Sequence, residues 1–241
     1  GGTVAGSTGT FTGDVDIADK IIHSGDTNTA IRFPAADTVT VETAGSERAR
    51  IDSSGRLLIG HTATTSKDRQ VQLVGTTADG SSYMALRHSA DANGSRLDLC
   101  KSRNATPGSN TIVVDDDVLG SIDFLGDDGT DIQSVGASIV AQVDGTPGSN
   151  DMPGRLIFRT TADGAAASTE RLRIASDGVI TAQKSATFGN TSDSFTAVQI
   201  TSSTSGISEL RFGDTTANAG YIKYSHSSNI LEFATSATSR A

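Results

Sequence analysis

The chain has 241 residues with 28 acidic and 19 basic side chains, a formal net charge of -9 at pH 7 and a pI near 4.8. Nucleic-acid affinity depends on Lys and Arg displacing counterions from phosphates, so this balance argues against a nucleic-acid partner. Leu, Ile, Val and Phe fill 51 positions, Ser and Thr 61, and tryptophan none; at roughly a fifth of the chain, the large apolar residues stand at the edge of what an independently packed domain needs.

Ordering the backbone costs about 1–2 kcal/mol per residue, and so thin an apolar content predicts that partner chains supply part of the burial. The single cysteine, Cys100, excludes an intrachain disulfide and a Cys-rich zinc site. No run approaches the roughly 18 apolar residues of a membrane span, so membrane insertion is not expected. The basic residues are 14 Arg and 5 Lys, a bias suited to bidentate pairing with Asp and Glu.

Residues 1–22 read as a Gly/Thr/Ser-rich linker leading into a shaft. A first β module spans 23–60. It turns at Ser24-Gly25-Asp26, runs through Ala30 to Phe33 with Ile31 and Phe33 on one face, turns again over Pro34 to Asp37, and alternates at Val39 and Val41. It closes with SERARIDSSGRLLIG, Ser46 to Gly60, in which Ala49 and Ile51 alternate with Arg48 and Arg50 before a Gly55 turn.

Residues 61–119 read as a hairpin region. Met84 and Leu86 are expected to pair with Leu97 and Leu99 across Asp91-Ala92-Asn93-Gly94, because Asn-Gly is a strong hairpin signal. A second module covers 120–183. The loop TPGSN occurs at Thr106 to Asn110 and again at Thr146 to Asn150, ahead of the strands GSIDF and GRLIF that end at Phe124 and Phe158. The module ends on TERLRIASDGVITAQ, Thr169 to Gln183, which repeats the earlier hairpin: Glu47 to Gly55 and Glu170 to Gly178 agree at six of nine positions. Residues 184–241 form a third, incomplete module in which Glu209 to Phe212 echoes Ala30 to Phe33. Glycine and proline interrupt every apolar run, so the chain is expected to be more than one-third strand and almost free of helix.

Nucleotide and hydrolase signatures are absent: there is no Gly-x-Gly fingerprint, P-loop or Gly-x-Ser-x-Gly elbow. His23, His61, His88 and His226 are scattered and lack the spacing of a zinc site or a catalytic triad. Two acidic runs remain, Asp115-Asp116-Asp117 and the stretch holding Asp127, Asp128 and Asp131. The second begins like an EF-hand loop but has Ser138 where the bidentate Glu would stand. These three aspartates are the only metal candidates, and solvated turns between strands are the competing reading.

The repeated stretches resemble the shaft and distal regions of tail fibres from tailed bacteriophages, especially those infecting marine cyanobacteria. The residues that carry the resemblance are Ile17 to Gly60, Asp151 to Gly164, Ser168 to Gly178 and Glu209 to Phe233, about half the chain. The resemblance implies an all-β, elongated and intertwined homotrimeric β-fibre of the β-prism or triple-β-helix kind, located on the virion. It implies packing against sister chains by Ile31, Phe33, Ile51, Phe124, Phe158, Leu172, Ile174, Phe212 and Phe233. It also implies contact with other tail or baseplate proteins and with a host-surface receptor, a glycan, and neither a catalytic residue nor a cofactor. Two other classes stay open: a tailspike-type polysaccharide depolymerase, and a bacterial surface adhesin or filament subunit. Laying ILEFATSATSRA on Thr38 to Ala49 leaves a strand without its return partner, so the polypeptide is expected to continue beyond Ala241.

Overall fold

A computed structural model of the chain describes residues 12–65, 67–184, 200, 202–213, 220–235 and 238–239. The chain is all-β: strands make up 43% of the described residues, which contain no α-helix, only a single 3-10 turn at Asp79–Ser81. It divides into two units, Gly1–Gln183 and Lys184–Ala241.

The first unit holds two sheets. One contains six strands in sequence order: β1 (Lys20–His23), β2 (Asp26–Ala35), β3 (Thr38–Thr43), β4 (Ser46–Ile51), β5 (Leu57–Ile59) and β6 (Val71–Leu73). All neighbours are antiparallel except β5 and β6, which run parallel. Two positive-φ residues, Ala44 and Gly45 at 52° and 71°, form the two-residue β3–β4 loop, the type I′ geometry that matches strand twist. Gly60, φ 81°, ends β5 hard against the chain leaving β6; a Cβ there would lie 2.3 Å from the Val74 carbonyl oxygen, so only glycine fits.

The other sheet has five strands in the order β11 (Ile180–Ala182), β10 (Thr169–Ile174), β9 (Gly154–Thr160), β8 (Ser134–Val143), β7 (Val118–Gly126), all antiparallel. The second unit is a single antiparallel sheet of β12 (Ile207–Phe212), β13 (Gly220–Ser225), β14 (Ile230–Thr235) and β15 (Thr238–Ser239).

The repeated hairpins are β4–β5 and β10–β11. Their turns are built alike: the Gly55 amide donates to the Asp52 carbonyl at 2.8 Å and the Gly178 amide to the Ala175 carbonyl at 2.9 Å. Module edges differ from those read in the sequence. The first sheet starts at Lys20, inside the expected linker, and runs past residue 60 to Leu73, because β6 returns to pair beside β5.

One expectation fails. Met84 and Leu86 do not pair with Leu97 and Leu99: the described residues between Ser82 and Asp117 contain no strand. The turn does form, with Arg87 donating to both oxygens of Asp91 (2.7 and 2.6 Å) and to the Asn93 carbonyl (2.7 Å). Its limbs stay separate because no second apolar layer among the described residues covers them; Tyr83, Met84, Leu86 and Leu97 are all strongly exposed, and an isolated hairpin is marginal in water. The expected third module is only partly covered, since its start at 185–199 and the end of the chain beyond Ser239 lie outside the described residues.

Candidate functional site

Strand alternation gives each sheet two chemically different faces, and register then aligns like residues across strands. In the six-stranded sheet Ile21, Ile31, Val41, Ala49, Ile59 and Leu73 stand opposite one another in a row that crosses every strand. A second row holds Val39, Ile51, Leu57 and Val71. The reverse face carries Lys20, Arg32, Thr40, Arg50, Leu58 and Gln72.

Burial is inverted relative to an ordinary half-solvated sheet. Ile51 is 51% exposed and Val41 46%, whereas Thr40 and Leu58, among the arginines, are 0% and 1% exposed. Ion pairs run along that reverse face: Arg32 with Asp19 (2.8 Å) and Glu42 (3.5 Å), Arg56 with Asp52 (2.6 Å), and Arg50 with Glu47 through two parallel bonds. Aliphatic Arg stems cover apolar surface while their heads remain wet, so the charged face is the finished one and the apolar face is left open.

The five-stranded sheet repeats the arrangement. Ala182, Leu172, Phe158, Ile139 and Ile122 form one row, and Ile180, Ile174, Leu156, Ala141 and Gly120 the next. On the reverse face Arg173, Ile157, Val140 and Ser121 align, with Ile157, Val140 and Ser138 buried. The second unit follows suit: Leu210, Ile222 and Phe233 align on one side, and Glu209, Lys223 and Glu232 on the other. There Lys223 pairs with Glu232 at 2.6 Å and Arg211 with Glu209 at 2.9 Å.

The repeated Glu-Arg-x-Arg motif owes its pairing to a local irregularity. In a regular strand, residues three apart lie on opposite faces, yet Arg50 bonds Glu47 and Arg173 bonds Glu170, the latter through two contacts of 2.7 Å. Each strand carries a register shift, between Val41/Glu42 and their partners and between Glu170/Leu172 and theirs. Such a bulge inserts one residue and brings i and i+3 to the same side. The inserted residues are Arg48 and Arg171, whose Nε atoms donate at 2.9 Å to Thr43 and Thr160 of the adjacent strand.

All nine residues singled out for packing fall on the apolar faces. Ile31, Phe33 and Ile51 lie on the six-stranded sheet, Phe124, Phe158, Leu172 and Ile174 on the five-stranded one, and Phe212 and Phe233 on that of the second unit. Phe158 and Leu172 are half-buried and the other seven exposed. Sequence reading missed the rest of the rows, notably Ile21, Val71 and Ile122, and it missed the bulges; the period-two alternation signals the former, and the repeated Arg-x-Arg after Glu the latter.

The acidic runs are spent on local structure. Asp127 accepts the Gly129 amide (2.8 Å), Asp128 the Thr130 amide (2.9 Å) and the Ser134 hydroxyl (2.8 Å), and Asp131 the Gln133 amide (2.7 Å). The described residues contain no group of three His, Cys, Asp or Glu disposed to hold a metal ion. In the other run Asp117 takes a two-bond pair from Arg103 (2.6 and 2.8 Å), and Asp115 accepts the Gly145 amide at 2.9 Å. Asp116 pairs with Arg155, whose side chain is 12% exposed and also reaches Asp144 (2.9 Å) and Gln142. The Ser176 amide, then Arg155, hold the Asp144 carboxyl down at about 2. This clamp ties the β7 approach to the ends of β8 and β9 and to the β10–β11 turn.

Neither the family models nor the curated proteins give a match to this sequence. Among solved structures, the carboxy-terminal domain of the bacteriophage T5 L-shaped tail fibre is similar, with a TM-score of 0.56 at 14% identity over 83% of this chain and 98% of that one. The same domain with its intramolecular chaperone domain aligns with a TM-score of 0.50 at 13% identity, over 89% of this chain and 70% of that one. At such identity the likeness is one of fold: the chain folds like these tail-fibre domains.

Proposed function

We propose that this chain is a structural subunit of a bacteriophage tail fibre, assembled as a parallel homotrimer whose sheets turn their apolar faces inward and their ion-paired faces to water. The observation that carries the reading is the two-faced chemistry of all three sheets: the open face is the apolar one. Similarity of fold to T5 tail-fibre domains favours a virion appendage over an adhesin of other origin.

In this role the protein is a rod segment and a display surface. Its partners are two copies of itself, adjoining tail or baseplate proteins, and a glycan receptor on the host. No catalytic step forms part of the reading, because the carboxylates of both acidic runs are engaged by backbone amides and arginines. Gold-labelled antibody against the chain, viewed on intact virions, is expected to decorate an external tail appendage. The purified protein is expected to bind host cells and lose that binding after periodate oxidation of surface glycans. Virions that carry no label would overturn the assignment.

A further inference from the structure

Residues 82–101 stand out from the rest of the first unit. None of residues 83–101 takes part in a backbone-to-backbone hydrogen bond, and none belongs to a strand. Large apolar side chains recur along both limbs, and Tyr83, Met84, Leu86 and Leu97 are between 64% and 82% exposed. The tip, by contrast, is fixed. Arg87 grips Asp91, the Asp91 carboxylate accepts the Asn93 amide at 2.9 Å, and Ser89 accepts the Asp91 amide at 3.2 Å. The base of the returning limb is fixed as well, since the Arg103 amide donates to the Thr111 carbonyl and the Arg103 guanidinium to Asp117. Two limbs with shaped ends and unpaired backbone between them present edges for strand addition.

The arm is continuous with the open apolar face. Leu99, near its base, sits on Gly120 of β7 so closely that a Cβ at that glycine would come within 2.6 Å of the Leu99 Cβ. A shallow apolar hollow beside it is walled by Leu99, Ile122, Ile139, Ala141 and Leu156. The limb therefore starts on the face proposed for self-association and carries its remaining apolar residues away from its own chain.

We infer that residues 82–101 form an exchanged arm, whose limbs add along an edge of the five-stranded sheet of a second copy of this chain and take backbone hydrogen bonds from it. This rests on the trimeric reading above and adds what that reading leaves open, a segment whose fold is completed only by its neighbour. Packing of flat faces alone would leave the arm in solvent; exchange makes the subunits interlocked.

Hydrogen exchange on the assembled full-length chain, with its mass followed in parallel, tests this. A trimeric mass with amides of 83–101 slowed about 100-fold or more relative to an unstructured peptide is the expected result. A photocrosslinker in place of Tyr83, in a sample mixed from light and heavy isotope chains, is expected to join light to heavy. A trimeric mass with those amides exchanging at unstructured rates, or crosslinks confined to one chain, overturns the exchanged arm and leaves the trimer standing. A monomeric mass overturns both.

Discussion

Replacing Ile51 with Asp separates assembly from the local fold. Ile51 lies on β4, in the row with Val39, Leu57 and Val71, and is 51% exposed in the single chain. Covering that half recovers about half of the roughly 1.5–3 kcal/mol of a fully buried aliphatic side chain, so ~1 kcal/mol per subunit and roughly 2–5 kcal/mol per trimer. Aspartate forfeits this and adds a carboxylate that must shed water, at an effective cost of several kcal/mol for each copy. The total is on the order of 10 kcal/mol per trimer, about seven decades in the association constant. Light scattering at micromolar concentration is expected to show single chains for Ile51→Asp and an intact trimer for Ile51→Val, which keeps the face apolar. An Ile51→Asp protein with unchanged trimeric mass would refute the claim that this face is covered by sister chains.

Ala44→Asn is expected to stabilise, by up to about 1 kcal/mol, since Ala44 holds φ 52° in the type I′ loop before Gly45 and Asn tolerates that region better; thermal melts would show a rise of a few degrees. Arg155→Met should cost about 1–3 kcal/mol by stranding Asp144 and Gln142, and Arg155→Lys should restore little, because an ammonium cannot reach both partners; denaturant titration measures both. Stability should fall as pH drops from about 4 toward 2. Asp91, held at about 2 by Arg87, and Asp144, held at about 2 by the Ser176 amide and Arg155, sit below their unfolded values near 4, so protonation favours the unfolded chain. Melting temperature against pH checks the sign, and a rise below pH 4 would contradict it.

Much of the fold was legible because strand alternation and glycine turns are local signals. The hairpin at Glu47 and its repeat at Glu170 were readable as repeats, and their Gly55 and Gly178 turns fall where expected, at φ 77° and 83°. The bulges at Arg48 and Arg171 were not, since pairing between residues three apart depends on register with a neighbouring strand. Parallel pairing of β6 beside β5 was also hidden, because Val71 to Leu73 is too short to announce a partner. At Met84 and Leu97 the Asn-Gly signal placed a turn correctly and a ladder wrongly; a turn needs only Arg87 and Asp91, but a ladder needs an apolar layer that the described residues do not supply. Period-two alternation placed Ile31, Ile51 and Leu172 on apolar faces, whereas the full rows through Ile21, Val71 and Ile122 depend on register between strands, which the sequence does not state.

The molar mass of the purified chain in solution bears most directly on the central claim that the apolar sheet faces are closed by sister chains. Light scattering coupled to size exclusion at micromolar concentration is expected to give three times the 24.7 kDa of one chain. A single monodisperse species of 24.7 kDa with native strand content would contradict it.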